Sequence, residues 1–189
     1  MRSYQDKMVF VSEYDVRCQL ILTNFFKQRF LEGSFEEKGV YEIRSEVDSF
    51  DLEEVDYYSQ FVGWNIPRYG EFSWTKQEVS LDEIGSWPGM QGLPFEFTRG
   101  SISELSDKIG LPFSAEIPIN LKRNLLGIIE RLDFTMQNFL PILLPGGHIR
   151  ERDPLAKRLD YDCWDGNTRL LAYSLSGIDN VLAYVSKEK

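Results

Sequence analysis

The only histidine in the sequence, His148, lies in a stretch whose residue types suit an anion-binding loop. Two glycines precede it, so the backbone can approach a ligand closely. Arg150 and Arg152 follow at alternate positions, and Lys157 and Arg158 come shortly after them. Guanidinium groups hold phosphate and carboxylate groups through paired hydrogen bonds. The stretch therefore predicts an anionic-ligand site in a small-molecule enzyme or sensor, formed by His148, Arg150 and Arg152.

The same residues also fit a charged surface turn that binds no ligand. Pro-Gly-Gly is a common turn sequence, and Glu151 and Asp153 alternate with the arginines and neutralise them locally. The sequence favours this second interpretation, and both stay open.

Other patterns for catalysis or metal binding are incomplete. Asp160, Asp162 and Asp165 resemble the start of a calcium-binding loop, but Trp164 and Asp165 stand where that loop needs an acid and a glycine. One histidine and two distant cysteines do not give the paired spacing of a zinc site. Phosphate-loop, dinucleotide-binding and Gly-x-Ser-x-Gly motifs are absent from the sequence. We therefore expect no cofactor and no metal, and the sequence favours a protein that is not an enzyme.

The net charge of −9 comes from the first half of the chain. Residues 1–98 carry 9 Lys/Arg and 18 Asp/Glu, whereas residues 99–189 carry 12 of each. An acidic surface repels nucleic acid and anionic lipid and attracts a basic protein. The sequence thus predicts a basic protein partner, with neither nucleic acid nor a membrane, and a solvated face without any partner is the alternative. The predicted partner-binding acids are Glu46, Asp48, Glu53, Glu54 and Asp56.

The loop from Trp87 to Pro94 is the second candidate for partner binding. Trp87 and Met90 stand there among glycines and prolines, and such side chains can form an adaptable apolar contact inside a polar rim. Alternatively, the loop folds these side chains into the core.

Three functions remain open on these patterns. The first is a non-enzymatic acidic binding protein, such as an inhibitor or immunity-type protein that neutralises a basic protein partner by electrostatic complementarity. The second is the enzyme or sensor for an anionic ligand at His148, Arg150 and Arg152. The third is a structural subunit of a larger assembly.

A long amphipathic helix is predicted at the centre of the fold, from about 118 to 140. Apolar residues recur there at steps of three and four, a spacing that is helical and too long for a strand. Pro141 ends the pattern because proline cannot donate a backbone hydrogen bond. The apolar stripe comprises Leu121, Leu125, Ile129, Leu132, Met136, Phe139 and Leu140.

Capping-box patterns predict the starts of three further helices. Ser12 begins a helix of about 13–32 that ends at Gly33, Asp51 begins one that reaches about Phe61, and Ser101 begins one that ends at Gly110. A single helical turn is expected at 81–84.

Alternating apolar and polar residues predict the strands. They lie at 8–11, 40–47, 71–75, 95–98 and in a hairpin of 159–163 and 171–175 around the turn Asp165–Gly166. A helix over 178–185 follows, although one helix running from Thr168 fits nearly as well.

The composition indicates one ordered globular domain over residues 1–189. Apolar residues make up 42% of the chain and aromatic residues 14%. No segment has the apolar length of a membrane span or signal peptide, so we expect a cytoplasmic protein with Cys18 and Cys163 as buried thiols. The predicted fold class is α+β, with a mainly antiparallel sheet packed against the central and N-terminal helices. The oligomeric state is not determined by the sequence.

Overall fold

A computed structural model of the chain describes residues 8–31, 37–61, 71–113 and 117–189. Within these ranges lie eight α-helices and one six-stranded sheet, and the α+β class is confirmed. The described residues divide into two compact units, one of Val11–Trp74 with Lys189 and one of Thr75–Glu188 with the first described residues. The prediction of a single domain stays a prediction. The helix end predicted at Gly33 lies outside the described ranges.

Three helices make up the first unit. They are α1 (Glu13–Leu31), α2 (Glu37–Asp48) and α3 (Leu52–Phe61), and α1 packs on both of the others. At the start of α1, Ser12 Oγ accepts a hydrogen bond from the Asp15 amide at 3.1 Å, and Asp15 Oδ2 accepts one from the Ser12 amide at 3.0 Å. The predicted capping box and N-terminal helix are thereby confirmed.

The predicted strand at 40–47 is wrong, because these residues form α2. Val40, Ile43 and Val47 are buried, at helical steps of three and four, whereas Tyr41 is 59% exposed. The apolar residues of 40–47 also fit the alternation of a strand. So short a segment does not distinguish the helical period from the strand period.

The sheet contains strands β1 (Val9–Val11), β2 (Phe72–Ser80), β3 (Ile84–Gly85), β4 (Ile142–Pro145), β5 (Tyr161–Asp165) and β6 (Asn180–Glu188). Their order in the sheet is β1-β2-β6-β4-β5-β3. Strand β4 runs antiparallel to β5 but parallel to β6, and β3 runs parallel to β5. The sheet is therefore mixed and not purely antiparallel.

The second unit contains the other five helices, α4 (Ile102–Ile109), α5 (Ile119–Ile129), α6 (Leu132–Asn138), α7 (His148–Arg152) and α8 (Asn167–Leu175). Leu170 and Tyr173 of α8 pack in a cluster with strand residues, whereas Leu171 and Ala172 pack in another with α4 and α5. Helix α8 thus lies between the sheet and α5.

The predicted central helix is divided into α5 and α6. Arg131, between them, has a non-helical backbone (φ −125°, ψ 37°). Leu121 and Leu125 belong to the cluster of α4, α5 and α8, whereas Leu132 and Met136 pack against the cluster of the sheet. The break thus separates the part of the stripe in the first cluster from the part that packs against the sheet.

The first strand of the predicted hairpin, 159–163, overlaps β5, but the second strand at 171–175 and the helix over 178–185 are wrong. Gly166 has a positive φ of 108° and precedes α8, and the chain then enters β6, so the order is helix before strand. Residues 169–173 of α8 are all buried, which leaves no polar face to reveal a helical period.

Several local predictions are confirmed, among them β1, β2, the turn of helix at Leu81–Glu83, α3 and α4. Residues 95–98 form turns instead of the predicted strand. Cys18 and Cys163 are both buried thiols outside any disulfide, as predicted.

Candidate functional site

The loop that carries His148 is held by a buried carboxylate on the neighbouring strand. Strand β4 ends at Pro145, two glycines turn the chain, and α7 begins at His148. Asp162 of β5 is only 3% exposed, and its Oδ2 accepts hydrogen bonds from the backbone amides of Gly147 and Ile149, both at 2.9 Å. Burial raises the pKa of the Asp162 carboxyl, and these two hydrogen bonds act against that rise.

The two glycines of this turn have structural roles of their own. A Cβ at Gly146 would lie 1.7 Å from the carbonyl oxygen of Leu159, and Gly147 has a φ of 133°. The sequence indicated that these glycines permit a close approach of the backbone. In the structure, the group that approaches Gly146 is the chain itself at Leu159.

An open cavity of about 520 Å³ lies beside this turn, a size suited to a small molecule. Two of the three predicted ligand-binding residues, His148 and Arg150, line it. Arg152 does not, because its guanidinium carbon lies 4.8 Å from the ring centroid of Trp87. The full lining is Pro145, Gly146, Gly147, His148, Arg150, Glu151, Pro154, Arg158 and Glu188.

Four charged side chains of both signs line the cavity. They are Arg150, Arg158, Glu151 and Glu188, and no ion pair joins any two of them in the described part of the chain. Arg158 was visible in the sequence as a nearby basic residue. Glu188 was not, because only the pairing of β6 beside β4 brings the end of the chain to this loop.

The predicted acidic partner-binding residues all lie exposed at the end of α2 or on α3. Two of them have structural roles: Glu54 caps α3 together with Asp51, and Asp56 forms an ion pair with Arg17 of α1. For the other three, no side-chain hydrogen bond or ion pair is present within the described ranges. These are Glu46, Asp48 and Glu53, and we call them the unpaired acids.

Two of the unpaired acids occupy an unfavourable place in their helix. Glu46 and Asp48 lie in the last turn of α2, which contains no basic residue. The carboxyl end of a helix carries partial negative charge, so carboxylates there cost free energy. Their presence is therefore not explained by the stability of α2.

Large apolar side chains are exposed on the same two helices. Tyr41 is 59% exposed, Leu52 67% and Tyr57 57%. Tyr41 and Asp48 are seven residues apart on α2, and Glu53 and Tyr57 are four apart on α3, so each pair shares a helix face. Sequence reasoning missed Tyr41, because residues 40–47 were predicted as a strand and not as part of α2.

The structure places Trp87 and Met90 differently from the acids. Met90 is 6% exposed and belongs to the core cluster of α4, α5 and α8, and Trp87 packs against that cluster. The Trp87 ring also lies edge-to-face with Trp164 at 5.7 Å, and its amide donates to Asn167 Oδ1 at 2.8 Å. This loop thus folds its apolar side chains inward, which is the alternative that the sequence left open.

Nothing in the described ranges adds a metal centre or a membrane span. No three His, Cys, Asp or Glu side chains of those ranges are grouped closely enough to hold an ion. No helix of the described chain combines the length and apolar character needed to cross a bilayer. Asp165, which the calcium-loop pattern included, is buried and receives a hydrogen bond from Arg169 at 2.7 Å. In comparisons with known proteins, no family model, curated protein or solved structure matches the chain.

Proposed function

We propose that the chain is a non-enzymatic binding protein that docks on a basic protein partner through α2 and α3. An inhibitor or immunity-type protein that neutralises a cationic protein acts in this way. The observation that carries the proposal is that Asp48 and Glu53 share helix faces with Tyr41 and Tyr57, which are both more than half exposed. Glu46 and Leu52 are exposed on the same two helices. We call these six residues the docking surface.

The two kinds of side chain have different roles in this proposal. Carboxylates with no internal partner attract a basic protein over a distance and accelerate its association. Exposed tyrosines supply rigid contact area that excludes water once the partner has docked. Charge alone would give a solvated face, so the exposed tyrosines and Leu52 distinguish a docking surface from a merely soluble one.

The test begins with the tagged protein and the native cell extract at low salt, followed by elution in a salt gradient. A basic protein that elutes stoichiometrically is then purified and its binding kinetics are measured against variants. We expect the triple change Glu46→Lys, Asp48→Lys and Glu53→Lys to lower the association rate constant by about tenfold or more at low salt. The changes Tyr41→Ala and Tyr57→Ala should instead raise the dissociation rate constant.

A matched control reverses three exposed acids of the other unit, Asp107, Asp160 and Asp179. This variant has the same net charge as the first triple variant, so its association rate constant separates a local effect from the overall charge. An equal loss in both triple variants would contradict docking through α2 and α3. Unchanged association in the first variant would contradict it as well.

A further inference from the structure

The cavity at His148 shares no residue with the docking surface, and its charges indicate the chemistry of a ligand. We propose that it binds a small zwitterion, a molecule that carries a carboxylate or phosphate together with an ammonium group. The oxyanion would contact Arg158 and Arg150, and the ammonium would contact Glu188 and Glu151. All four side chains line the cavity.

Three backbone amides in and beside the turn already have acceptors within the protein. The amides of Gly147 and Ile149 already donate to Asp162, and the amide of Gly146 donates to the carbonyl of Asp160 at 2.9 Å. A ligand therefore cannot use these three backbone donors without displacing their acceptors, so we expect side chains to hold it.

The four charged side chains of the cavity restrict the charge of a ligand. A purely anionic ligand would meet Glu151 and Glu188, and a purely cationic one would meet Arg150 and Arg158. Because these four groups form no ion pair with one another in the described chain, a ligand with both signs can pair with each of them without breaking an ion pair between them. Charge-assisted hydrogen bonds of this kind are the stronger ones.

The arginines near the cavity differ in the contacts that they already make within the protein. Arg150 has one long contact, from its Nη2 to the Pro154 carbonyl at 3.5 Å, whereas Arg158 has no hydrogen bond or ion pair within the described ranges. Arg152 stacks on Trp87 and does not line the cavity. Arg158 is therefore the principal oxyanion-binding residue, and Arg152 provides a control with the same charge.

The test is a titration of the full chain, followed by NMR of the backbone amides of Gly146, Gly147 and His148. The zwitterionic probes are a panel of free α-amino acids and phosphoethanolamine, which distinguish a carboxylate from a phosphate as the oxyanion. The probes with one sign are acetate, inorganic phosphate and methylammonium. We expect at least one zwitterion to shift these amides and to bind at least about tenfold more tightly than either of its single-sign counterparts.

Variants then assign the contacts. Arg158→Gln and Glu188→Gln should each weaken binding of that zwitterion by about tenfold or more, whereas Arg152→Gln should leave it unchanged. The proposal is overturned if no zwitterion shifts the three amides at millimolar concentration, if inorganic phosphate or acetate binds as tightly as the zwitterion, or if Arg152→Gln weakens binding as much as Arg158→Gln.

Discussion

Asp51 and Glu54 cap helix α3 reciprocally. The amide of Asp51 donates to Glu54 Oε2 at 2.9 Å, and the amide of Glu54 donates to Asp51 Oδ1 at 2.9 Å. These two acids therefore satisfy backbone donors that a helix start leaves free. The acids of α2 and α3 thus include some that stabilise a helix and the three unpaired acids, and substitutions can separate the two kinds.

The cap predicts a difference between two changes at Glu54. Glu54→Ala should lower the free energy of unfolding by about 1 kcal/mol, because the Asp51 amide loses its partner. Glu54→Gln should cost less than half as much, since a glutamine oxygen accepts the same hydrogen bond. Urea unfolding of the two variants measures both values. An equal loss in the two would show that the charge, and not the hydrogen bond, stabilises the helix start.

The position of Glu46 predicts that a charge reversal stabilises the protein. Glu46→Lys places a cation in the last turn of α2 and should raise the free energy of unfolding by about 0.3–1 kcal/mol. Glu53→Lys, in the first turn of α3, should lower it by a similar amount. Thermal unfolding at low salt measures both effects, which should shrink as salt is added.

If α2 and α3 form the docking surface, both of these changes should slow association with the basic partner even though their effects on stability are opposite. A stabilised Glu46→Lys variant with unchanged association would remove Glu46 from the docking surface. If the stabilised Glu46→Lys variant associates more slowly, Glu46 contributes to binding although it lowers the stability of the protein.

Burial of Asp162 predicts that its contribution to stability falls as the pH rises. Because its pKa is raised in the folded protein, the folded state binds more protons than the unfolded chain between the ordinary value of 3.8 and the raised value. The contribution is fully present below about pH 3.8 and is lost as the pH rises through the folded pKa. Urea unfolding of the wild type and Asp162→Asn across this range should therefore give a difference in free energy that declines with pH. A difference that grows with pH would contradict the raised pKa.

Asp153 predicts the opposite pH dependence. Its carboxylate is 5% exposed and accepts hydrogen bonds from Arg99 Nε at 2.9 Å and from the Leu155 amide at 3.1 Å. The hydrogen bond from Arg99 holds the pKa of Asp153 below its ordinary value of 3.8. The stability that depends on this charge is present above pH 3.8 and is lost as the pH falls through the folded pKa. In the same unfolding series, the advantage of the wild type over Asp153→Asn should shrink in acid.

The sequence was most informative where structure depends on neighbours along the chain. The caps at Ser12, Asp51 and Ser101 each use a side chain and an amide three residues apart, so a short pattern identified all three. The sequence did not predict α8 as a helix, because residues 169–173 are all buried and so leave no polar face to show the helical period.

The residues of the cavity were predicted from the sequence only in part. His148 and Arg150 were recognisable from the types of their neighbours, and both line it. The roles of Glu188 and Asp162 depend on which strands lie beside β4, and that order is set by the packing of the whole unit. Arg152 was indistinguishable from Arg150 in sequence until its contact with Trp87 was known.

A final prediction compares Gly146, in the turn before His148, with Gly177, which follows α8, because the two glycines should respond to substitution in opposite orders. The φ of Gly146 is not in the left-handed region, but any Cβ there would lie 1.7 Å from the Leu159 carbonyl oxygen, so a longer side chain can only add to the clash. Gly177 has a φ of 79°, and no described heavy atom lies within 4 Å of its added Cβ, so only backbone conformation limits it.

Asparagine adopts the left-handed conformation more readily than alanine. Gly177→Asn should therefore be more stable than Gly177→Ala, whereas Gly146→Asn should be no more stable than Gly146→Ala, which itself should cost about 1–3 kcal/mol. Urea midpoints of the four variants test this order. If Gly146→Asn were more stable than Gly146→Ala, backbone conformation would limit position 146, and not the close approach of the Leu159 carbonyl. The turn would then have room to move when a ligand binds beside it.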